Sequence, residues 1–195
     1  KPGNWENSPG DLSPAGYPLI LDVAGFPPEG DESAAQLIVR AAQNGWRWII
    51  AYNWRGGRFA GCGIGPDSHS LRLDLFGDIG DYAASGLDGA QVTLHGDGQD
   101  QLGQIMKSGR LVIYGDAGQT FLYGAKGGEI FELGSVAGRP LINAVGKPRA
   151  VINGTCLDYL AESFMAGDPL NGGGFVILNG VTFNPAGELI DLDTP

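Results

Sequence analysis

Cysteine is scarce in this chain of 195 residues, and its two copies stand far apart. Cys62 and Cys156 belong to no CxxC or Cys/His spacing, so the sequence favours two buried, reduced thiols over a disulfide or a metal site. Two thiolates are also too few to hold an iron–sulfur cluster within this chain.

Positive charge is scarce as well, with 12 Lys and Arg against 22 Asp and Glu and a formal net charge of −10. No run of Lys or Arg occurs anywhere in the sequence. A phosphate backbone is bound through clustered cations, so nucleic acid is not an expected partner.

Long apolar stretches are missing too. No segment approaches the roughly 20 residues of a membrane-spanning helix. The first residues, Lys1–Trp5, lack the apolar core of a secretion signal. We therefore expect no membrane partner and a cytoplasmic location.

Groups that could carry chemistry are few. His69 and His95 are the only histidines, Gly-x-Ser-x-Gly is absent, and Cys156 has no histidine in its stretch. No helix pattern follows the glycines of Gly61–Gly65, which argues against a phosphate site. The sequence predicts no catalytic, cofactor-binding or metal-binding residue in this chain.

Aspartates do recur at similar places along the chain, at Asp78, Asp81, Asp97, Asp100 and Asp116. A stacked row of carboxylates could bind Ca²⁺, but the nonapeptide signature of calcium-binding β-helices is absent. Ordinary solvated turn aspartates are the favoured interpretation.

Glycine, in contrast, is abundant, with 34 copies and no Gly-X-Y period. Short β-branched or aliphatic runs each end in a glycine, at positions 77, 96, 115, 134, 154 and 180. The successive intervals are 19, 19, 19, 20 and 26 residues. The sequence therefore contains an internal repeat, which is typical of solenoids and other stacked architectures.

A repeat of 19 residues is too short for a strand and a packed helix, which together take about 30 residues. The leucine-rich-repeat signature is missing. The interval predicts a mainly β fold, a right-handed parallel β-helix whose strands stack coil on coil. We expect the corner glycines to supply positive φ and to let neighbouring coils approach closely.

The last interval is longer than the others and predicts an insertion. We place it in residues 156–167 as a short helix or bulged loop, followed by a flexible Gly172–Gly174. Insertions in solenoids commonly lie on one face, and that face often binds.

The first residues predict a small α/β cap over the open first coil. The Pro- and Gly-rich stretch 1–30 is expected to run extended over the surface, with Tyr17–Val23 as an edge strand. Asp31 or Ser33 can cap a helix that continues through about Asn44, because apolar residues recur there at helical spacing.

The next segment predicts a hairpin. Trp46–Trp54 alternates and is rich in aromatic residues, so we interpret it as a strand, with Arg55–Arg58 as the turn into Phe59. The predicted domains are 1–70 for the cap, 71–183 for the β-helix and 184–195 for a C-terminal tail.

Several glycine-flanked segments, among them Gly103–Gly109 and Gly115–Phe121, resemble the GXGXG domain family over roughly residues 71–183. That family includes the C-terminal β-helix of the glutamate synthase large subunit, its stand-alone homologues and the GXGXG-containing subunit of formylmethanofuran dehydrogenase. Residues 25–65 look like the leader of the stand-alone, glutamate-synthase-related form.

The resemblance implies a scaffold, because in glutamate synthase other domains hold the amidotransferase, the FMN and the iron–sulfur cluster. It implies a non-catalytic subunit of a multi-subunit glutamate-synthase-like oxidoreductase, with FMN and iron–sulfur clusters on partner subunits. The alternative is the GXGXG-containing subunit of a formylmethanofuran dehydrogenase or of a formyltransferase-type C1 complex.

Two stretches outside the repeat supply candidate contacts to a partner or ligand: Arg139, Asn143, Asp158, Phe164, Met165 and Asn171. The polar members could instead satisfy backbone groups in long loops. Phe164 and Met165 could instead plug the open end of the solenoid.

Overall fold

The computed structural model describes residues 16–190, and the predictions made for 1–15 and 191–195 lie outside these described residues. One α-helix, ten strands and a short 3₁₀ turn follow one another along this part of the chain. They are β1 Leu19–Asp22, α1 Ala34–Gln43, β2 Trp48–Gly57, β3 Arg72–Ile79, β4 Asp88–His95, β5 Ser108–Ile113, β6 Glu129–Glu132, β7 Arg149–Ile152, the 3₁₀ turn Pro169–Asn171, β8 Phe175–Leu178, β9 Thr182–Phe183 and β10 Leu189–Ile190.

Strands β1 to β8 form a single parallel sheet in which spatial order equals sequence order. Each strand therefore returns, after one circuit of the chain, to lie beside the strand before it. This confirms the predicted parallel β-solenoid, here of about five turns. The last two strands form a separate antiparallel pair.

The strand register reproduces the predicted repeat. One row of paired residues runs through Leu73, Val92, Leu111, Ile130, Ala150 and Val176. Its steps are 19, 19, 19, 20 and 26 residues, the same intervals as those between the glycines. A ladder of equivalent positions therefore runs along the solenoid axis.

The core fills the interior of the coils. The row from Leu73 to Ala150 is buried, and so is the inward row beside it, from Leu75 to Ile152. Phe121, fully buried, reaches the same core cluster from the opposite side of its coil. The interior of the described coils is thus packed with side chains.

The corner glycines allow close approach, but most of them lack the predicted positive φ. Of the six, only Gly77 has a positive φ, at 116°. A Cβ added at Gly115 would lie 2.6 Å from the carbonyl carbon of Gly96 in the preceding coil. The predicted role of φ is therefore wrong at the other corners, where the backbone of the neighbouring coil excludes any side chain.

Positive φ recurs instead at glycines near the starts of β4–β6, namely Gly89, Gly109 and Gly128, and in five segments on the other side of the coils that we call the left-handed tracts. In each tract the first, third and fifth residues have φ between 49 and 68°. The tracts are 82–86, 101–105, 120–124, 139–143 and 159–163.

Hydrogen bonds between coils stabilise these tracts. Within 120–124, Thr120 donates to Gly138 of the next coil (3.0 Å), whereas Leu122 donates to Leu102 of the preceding coil (2.8 Å). Most left-handed residues here are not glycines, so inter-coil hydrogen bonds compensate the strain of that conformation.

The insertion in the last coil lies later than predicted. Val145 bridges to Met165, and Arg149 pairs with Phe175, so the six extra residues fall between Met165 and Phe175. Residues 156–165 keep the backbone of an ordinary coil, including a left-handed tract, because they pair in register with the coil before. The expected helix or bulge within 156–167 is therefore wrong, and the 3₁₀ turn forms in the extra segment.

The N-terminal region agrees with the sequence in two of its three elements. Strand β1 lies at the edge of the sheet, within the predicted Tyr17–Val23. Helix α1 begins after Ser33, whose Oγ accepts a hydrogen bond from the Gln36 N–H (3.4 Å), and Asn44 caps its C-terminus. Its apolar face packs on the first strands within the common core.

The predicted hairpin at Arg55–Arg58 is wrong. Strand β2 continues to Gly57 and pairs in parallel with β1 on one side and β3 on the other. Register shifts beside Asn53 and Gly56, both with positive φ, mark bulges in a continuous strand. Strands β1 and β2 belong to the same sheet as β3–β8. The domain boundaries at 70 and 183 stay predictions.

Candidate interaction surfaces

The outward side chains of the sheet form three rows, which together we call the outer face. Over β5–β8 this face is largely apolar, with exposed fractions of 37% at Phe131, 47% at Ile177 and 56% at Tyr114. Its apolar members are Val112, Tyr114, Phe131, Leu133, Val151, Phe175 and Ile177.

Such a face is unusual because parallel sheets are normally covered on both sides, and their strands then carry continuous apolar runs. The segments 111–114 and 175–178 carry such runs, but the described chain covers only their inward side. Exposed apolar patches of this kind mark interaction sites. The signal was present in the sequence, as apolar residues at both odd and even strand positions.

Charge is divided between the two edges of the outer face. The edge at which the strands begin, which we call the basic edge, carries seven cations against the carboxylates of Asp88 and Glu129. These cations are Arg47, Arg72, Lys107, Arg110, Lys126, Lys147 and Arg149. At the opposite edge, which we call the acidic edge, lie the exposed carboxylates of Asp78, Asp97 and Asp116, with one cation, Arg55, beside Asp78.

The outer face of β2–β4 is organised by one buried carboxylate. Asp74 accepts hydrogen bonds from Trp48 Nε1 (2.9 Å) and Arg72 Nε (2.7 Å), and His95 Nε2 lies 3.5 Å away. Burial acts to raise the pKa of Asp74, but the hydrogen bonds from Arg72, Trp48 and His95 outweigh it and hold that pKa below its ordinary value. Asp74 is therefore ionised, and its carboxylate is engaged in these structural hydrogen bonds.

An aromatic stack continues from this network along the third outward row. The His95 ring lies 4.0 Å from the Phe76 ring and 5.1 Å from the Tyr114 ring, nearly parallel to both. His95, at the end of β4, therefore lies between two aromatic rings. The stack ties the polar part of the outer face to its apolar part.

Two of the four polar candidate residues, Arg139 and Asn143, lie in the fourth left-handed tract, and Asp158 directly precedes the fifth. Arg139 and Asn143 have φ of 61° and 56° and donate backbone hydrogen bonds to Asp158 and Glu162 of the next coil. The Arg139 guanidinium lies 4.9 Å from the Tyr159 ring. Backbone pairing between coils explains the conformation of these residues, and their side chains stay candidates for contact.

The remaining candidates lie around the insertion. Phe164 is half-buried against the core, whereas Met165 is 68% exposed. Asn171 ends the 3₁₀ turn and donates to Asp168 (2.5 Å), and Leu170 beside it is 94% exposed. The structure thus separates Phe164, which closes the core, from Met165 and Leu170, which face solvent.

The recurrent aspartates cap the backbone of the next coil. Asp97 accepts from the Asp116 N–H (2.9 Å), Asp116 from Ser135 (2.7 Å) and Asp100 from Gln119 (2.8 Å). This is the turn role that the sequence favoured over a calcium row. Among residues 16–190 no group of three His, Cys, Asp or Glu side chains is placed to hold a metal ion.

Glu132 is the one ionisable side chain on the inward rows of β3–β8, and it is 1% exposed. Its Oε1 accepts from the Gly134 N–H (3.1 Å), and its Oε2 has no partner among the described residues. Burial raises the pKa of Glu132 to about 9, helped by the nearby charges of Asp116 and Asp97. The group is therefore a neutral acid at pH 7.

Both cysteines are free; Cys156 is buried, as expected, whereas Cys62 is only partly buried. Burial raises the pKa of Cys62 to about 11 and that of Cys156 to about 12, so neither is an activated thiolate. Within residues 16–190, helix α1 is too short to cross a bilayer, and no other helix reaches a spanning length.

Comparisons with known proteins support one relationship. A family model described as the GXGXG motif matches residues 56–187, well over half of the chain. Searches of the curated proteins and of the solved structures each returned no match. The matched span begins within β2 and ends after β9, so it contains the coils, the corner glycines and the insertion. The chain belongs to the GXGXG motif family.

Proposed function

We propose that this chain is a non-catalytic structural subunit of a multi-subunit, glutamate-synthase-like oxidoreductase in the cytoplasm. Its partners are the other subunits of that complex, which carry the FMN and the iron–sulfur clusters. The observation that carries the proposal is the family match over residues 56–187. It supports the resemblance to the β-helix that glutamate synthase uses as a scaffold.

The surface supports an assembly role. Apolar side chains that the described chain does not cover lie on the outer face, at Phe131 and Ile177, and at the insertion, at Met165 and Leu170. Glu132 and Cys156, the two groups whose pKa values are raised most, are buried and face the core rather than a cleft. Both features fit a subunit whose role is to position the other subunits of a complex.

The test is purification of the tagged full chain from its native host under non-denaturing conditions, followed by mass spectrometry and an absorbance spectrum. We expect stoichiometric co-purification of an FMN-binding subunit and an iron–sulfur subunit. Molybdopterin subunits in their place would favour the C1 complex. A chain recovered alone, at native abundance and low salt, would contradict a subunit role.

The insertion is the part of the surface through which we expect these subunits to bind. The double variant Met165→Ser, Leu170→Ser should lose co-purification and keep its thermal midpoint, because both side chains face solvent. Tyr17→Ser, also far exposed but at the opposite end of the sheet, is the matched control. Phe164 is left unchanged because it packs against the core.

A further inference from the structure

The apolar part of the outer face is bordered by opposite charges. Arg110 and Arg149 lie in its first row on the basic edge, whereas Asp97 and Asp116 follow its third row on the acidic edge. Arg149 forms no ion pair within residues 16–190, and Arg110 is paired only with Glu129 of its own edge. A covering surface must therefore be apolar in the middle, acidic on one side and basic on the other.

A second copy of the same face meets these requirements. Consider two copies that pack sheet to sheet about a two-fold axis parallel to the solenoid axis. The strands of the two copies then run in opposite directions, whereas their coils follow one another in the same order along the axis. The basic edge of each copy then lies over the acidic edge of the other, and at the height of β5 Lys107 and Arg110 of one copy face Asp116 of the other. The middle row, which includes Val112, Phe131 and Val151, meets itself at equal height, and isologous packing of this kind closes a dimer.

The alternative two-fold axis, along the strands, is less favourable. It would place the basic edge over the basic edge of the other copy and the acidic edge over the acidic edge, and like charges in an interface oppose binding. Stacking of two copies end to end is hindered at the N-terminal end of the solenoid, because α1 packs against the first strands there. The charge pattern therefore selects one arrangement.

We propose that the outer face of β4–β8 is a homodimer interface in which two copies pack sheet to sheet, with antiparallel strands and equivalent coils at the same height. It is separate from the insertion around Met165 and Leu170, through which we expect the other subunits to bind. The dimer would bring two copies of that insertion, and so two sets of partners, into one particle.

Sedimentation velocity of the purified chain over about 1 to 200 µM tests association, since that range covers micromolar dissociation constants. We expect a monomer–dimer equilibrium. Raising NaCl from about 0.05 to about 0.5 M should weaken the dimer at least threefold, because the paired edges are screened. A chain that stays monomeric throughout this range overturns the proposal and leaves the face to a different protein.

A matched pair of variants tests the face itself. Phe131→Glu puts a charge in the middle row and should raise the dissociation constant at least tenfold, about 1.4 kcal/mol of binding free energy. Tyr123→Glu is the control, because Tyr123 has the same exposed fraction, 37%, but lies in a left-handed tract away from the sheet. Equal dimerisation of the two variants would contradict the assigned face.

A second pair tests the edge. Arg110→Glu should weaken the dimer and reduce its dependence on salt, because it places a carboxylate at the height of β5, where Asp116 of the other copy is expected. Arg139→Glu, at an exposed position in a left-handed tract away from the sheet, should leave both quantities unchanged. If Arg110→Glu dimerises as the parent does, the charge argument fails.

Cross-linking distinguishes the two axes. A cysteine introduced by Val112→Cys lies in the middle row, so a short bismaleimide should join it to its equivalent in the other copy, across about the 10 Å that separates packed sheets. A cysteine introduced by Tyr123→Cys should not cross-link. Failure of Val112→Cys in a chain that still dimerises would overturn the arrangement. Neither result bears on whether the redox subunits co-purify, so the two proposals fail separately.

Discussion

Two turns that recur in each coil, at the corner glycines and in the left-handed tracts, are built on opposite rules. At the corner glycines the backbone has ordinary φ in five of six cases, yet any Cβ would meet the preceding coil. In the left-handed tracts the φ values suit glycine, yet Tyr, Gln, Thr, Arg and Leu occupy them. The first turn is limited by space and the second by conformation, so substitutions should affect them very differently.

The largest effect is expected at a corner. A Cβ at Gly115 would lie 2.6 Å from both backbone carbonyl atoms of Gly96. Since backbone cannot rotate away as a side chain can, Gly115→Val should separate neighbouring coils and cost about 4 kcal/mol or more. Urea denaturation followed by circular dichroism would measure this loss. A urea midpoint within experimental error of the parent would show that lack of space does not limit the residue type at this corner.

The next effect concerns the buried acid at the end of β6. Glu132 is protonated in the folded chain and ionised in the unfolded chain between about pH 4.5 and the pKa of about 9. The unfolded state binds fewer protons in this window, so the contribution of Glu132 to stability falls as pH rises through it.

Glu132→Gln should remove that part of the pH dependence and stabilise the chain at pH 8 by about 1–3 kcal/mol, since it keeps the shape without the cost of retaining a proton. Denaturation at pH 5 and pH 8 would test it. A variant with the slope of the parent would show that Glu132 does not carry the dependence.

A smaller loss is expected in a tract of the same coil. Gly124 has φ of 59°, and an added Cβ would come no closer than 3.4 Å to Ile105. Gly124→Ala should therefore cost about 1 kcal/mol, from conformation alone. Gly115→Ala, the matched change at the corner, should cost clearly more. Equal losses in the two alanine variants would remove the distinction between the turns.

The smallest effect is expected for Lys107→Ala. The Lys107 side chain is 55% exposed, and its Nζ lies 3.8 Å from the Asp88 carboxylate. Exposed ion pairs contribute about 0.2–1 kcal/mol, so the thermal midpoint should barely move. A large drop would mean that the basic edge contributes to folding in addition to the association proposed for it.

The sequence predicted the coils because their period depends on spacing, which the glycines mark directly. It could not assign the reason for each glycine, since freedom of φ and absence of a Cβ select the same residue type. The left-handed tracts were not predicted, because residues as different as Tyr82, Gln101 and Thr120 share one backbone position. Their conformation comes from hydrogen bonds between coils rather than from local propensity.

Other differences have similar origins. Gly56 and Gly57 are typical of hairpin turns, but parallel pairing of this stretch with β3 makes them part of a bulged strand. The candidate contacts at Arg139, Asn143, Asp158 and Asn171 stay predictions. The outer face was missed because apolar residues on both sides of a strand are equally typical of a parallel sheet covered on both faces, and only the three-dimensional structure shows which side is covered.

The register of the sheet also has a consequence for how the chain folds. Each coil pairs only with its neighbours, 19 to 26 residues away along β3–β8. That separation is about a tenth of the chain length, a relative contact order closer to helical bundles than to β-sandwiches. The chain should therefore fold by zipping, in which two adjacent coils form a nucleus and further coils add at either end, each on a template already made.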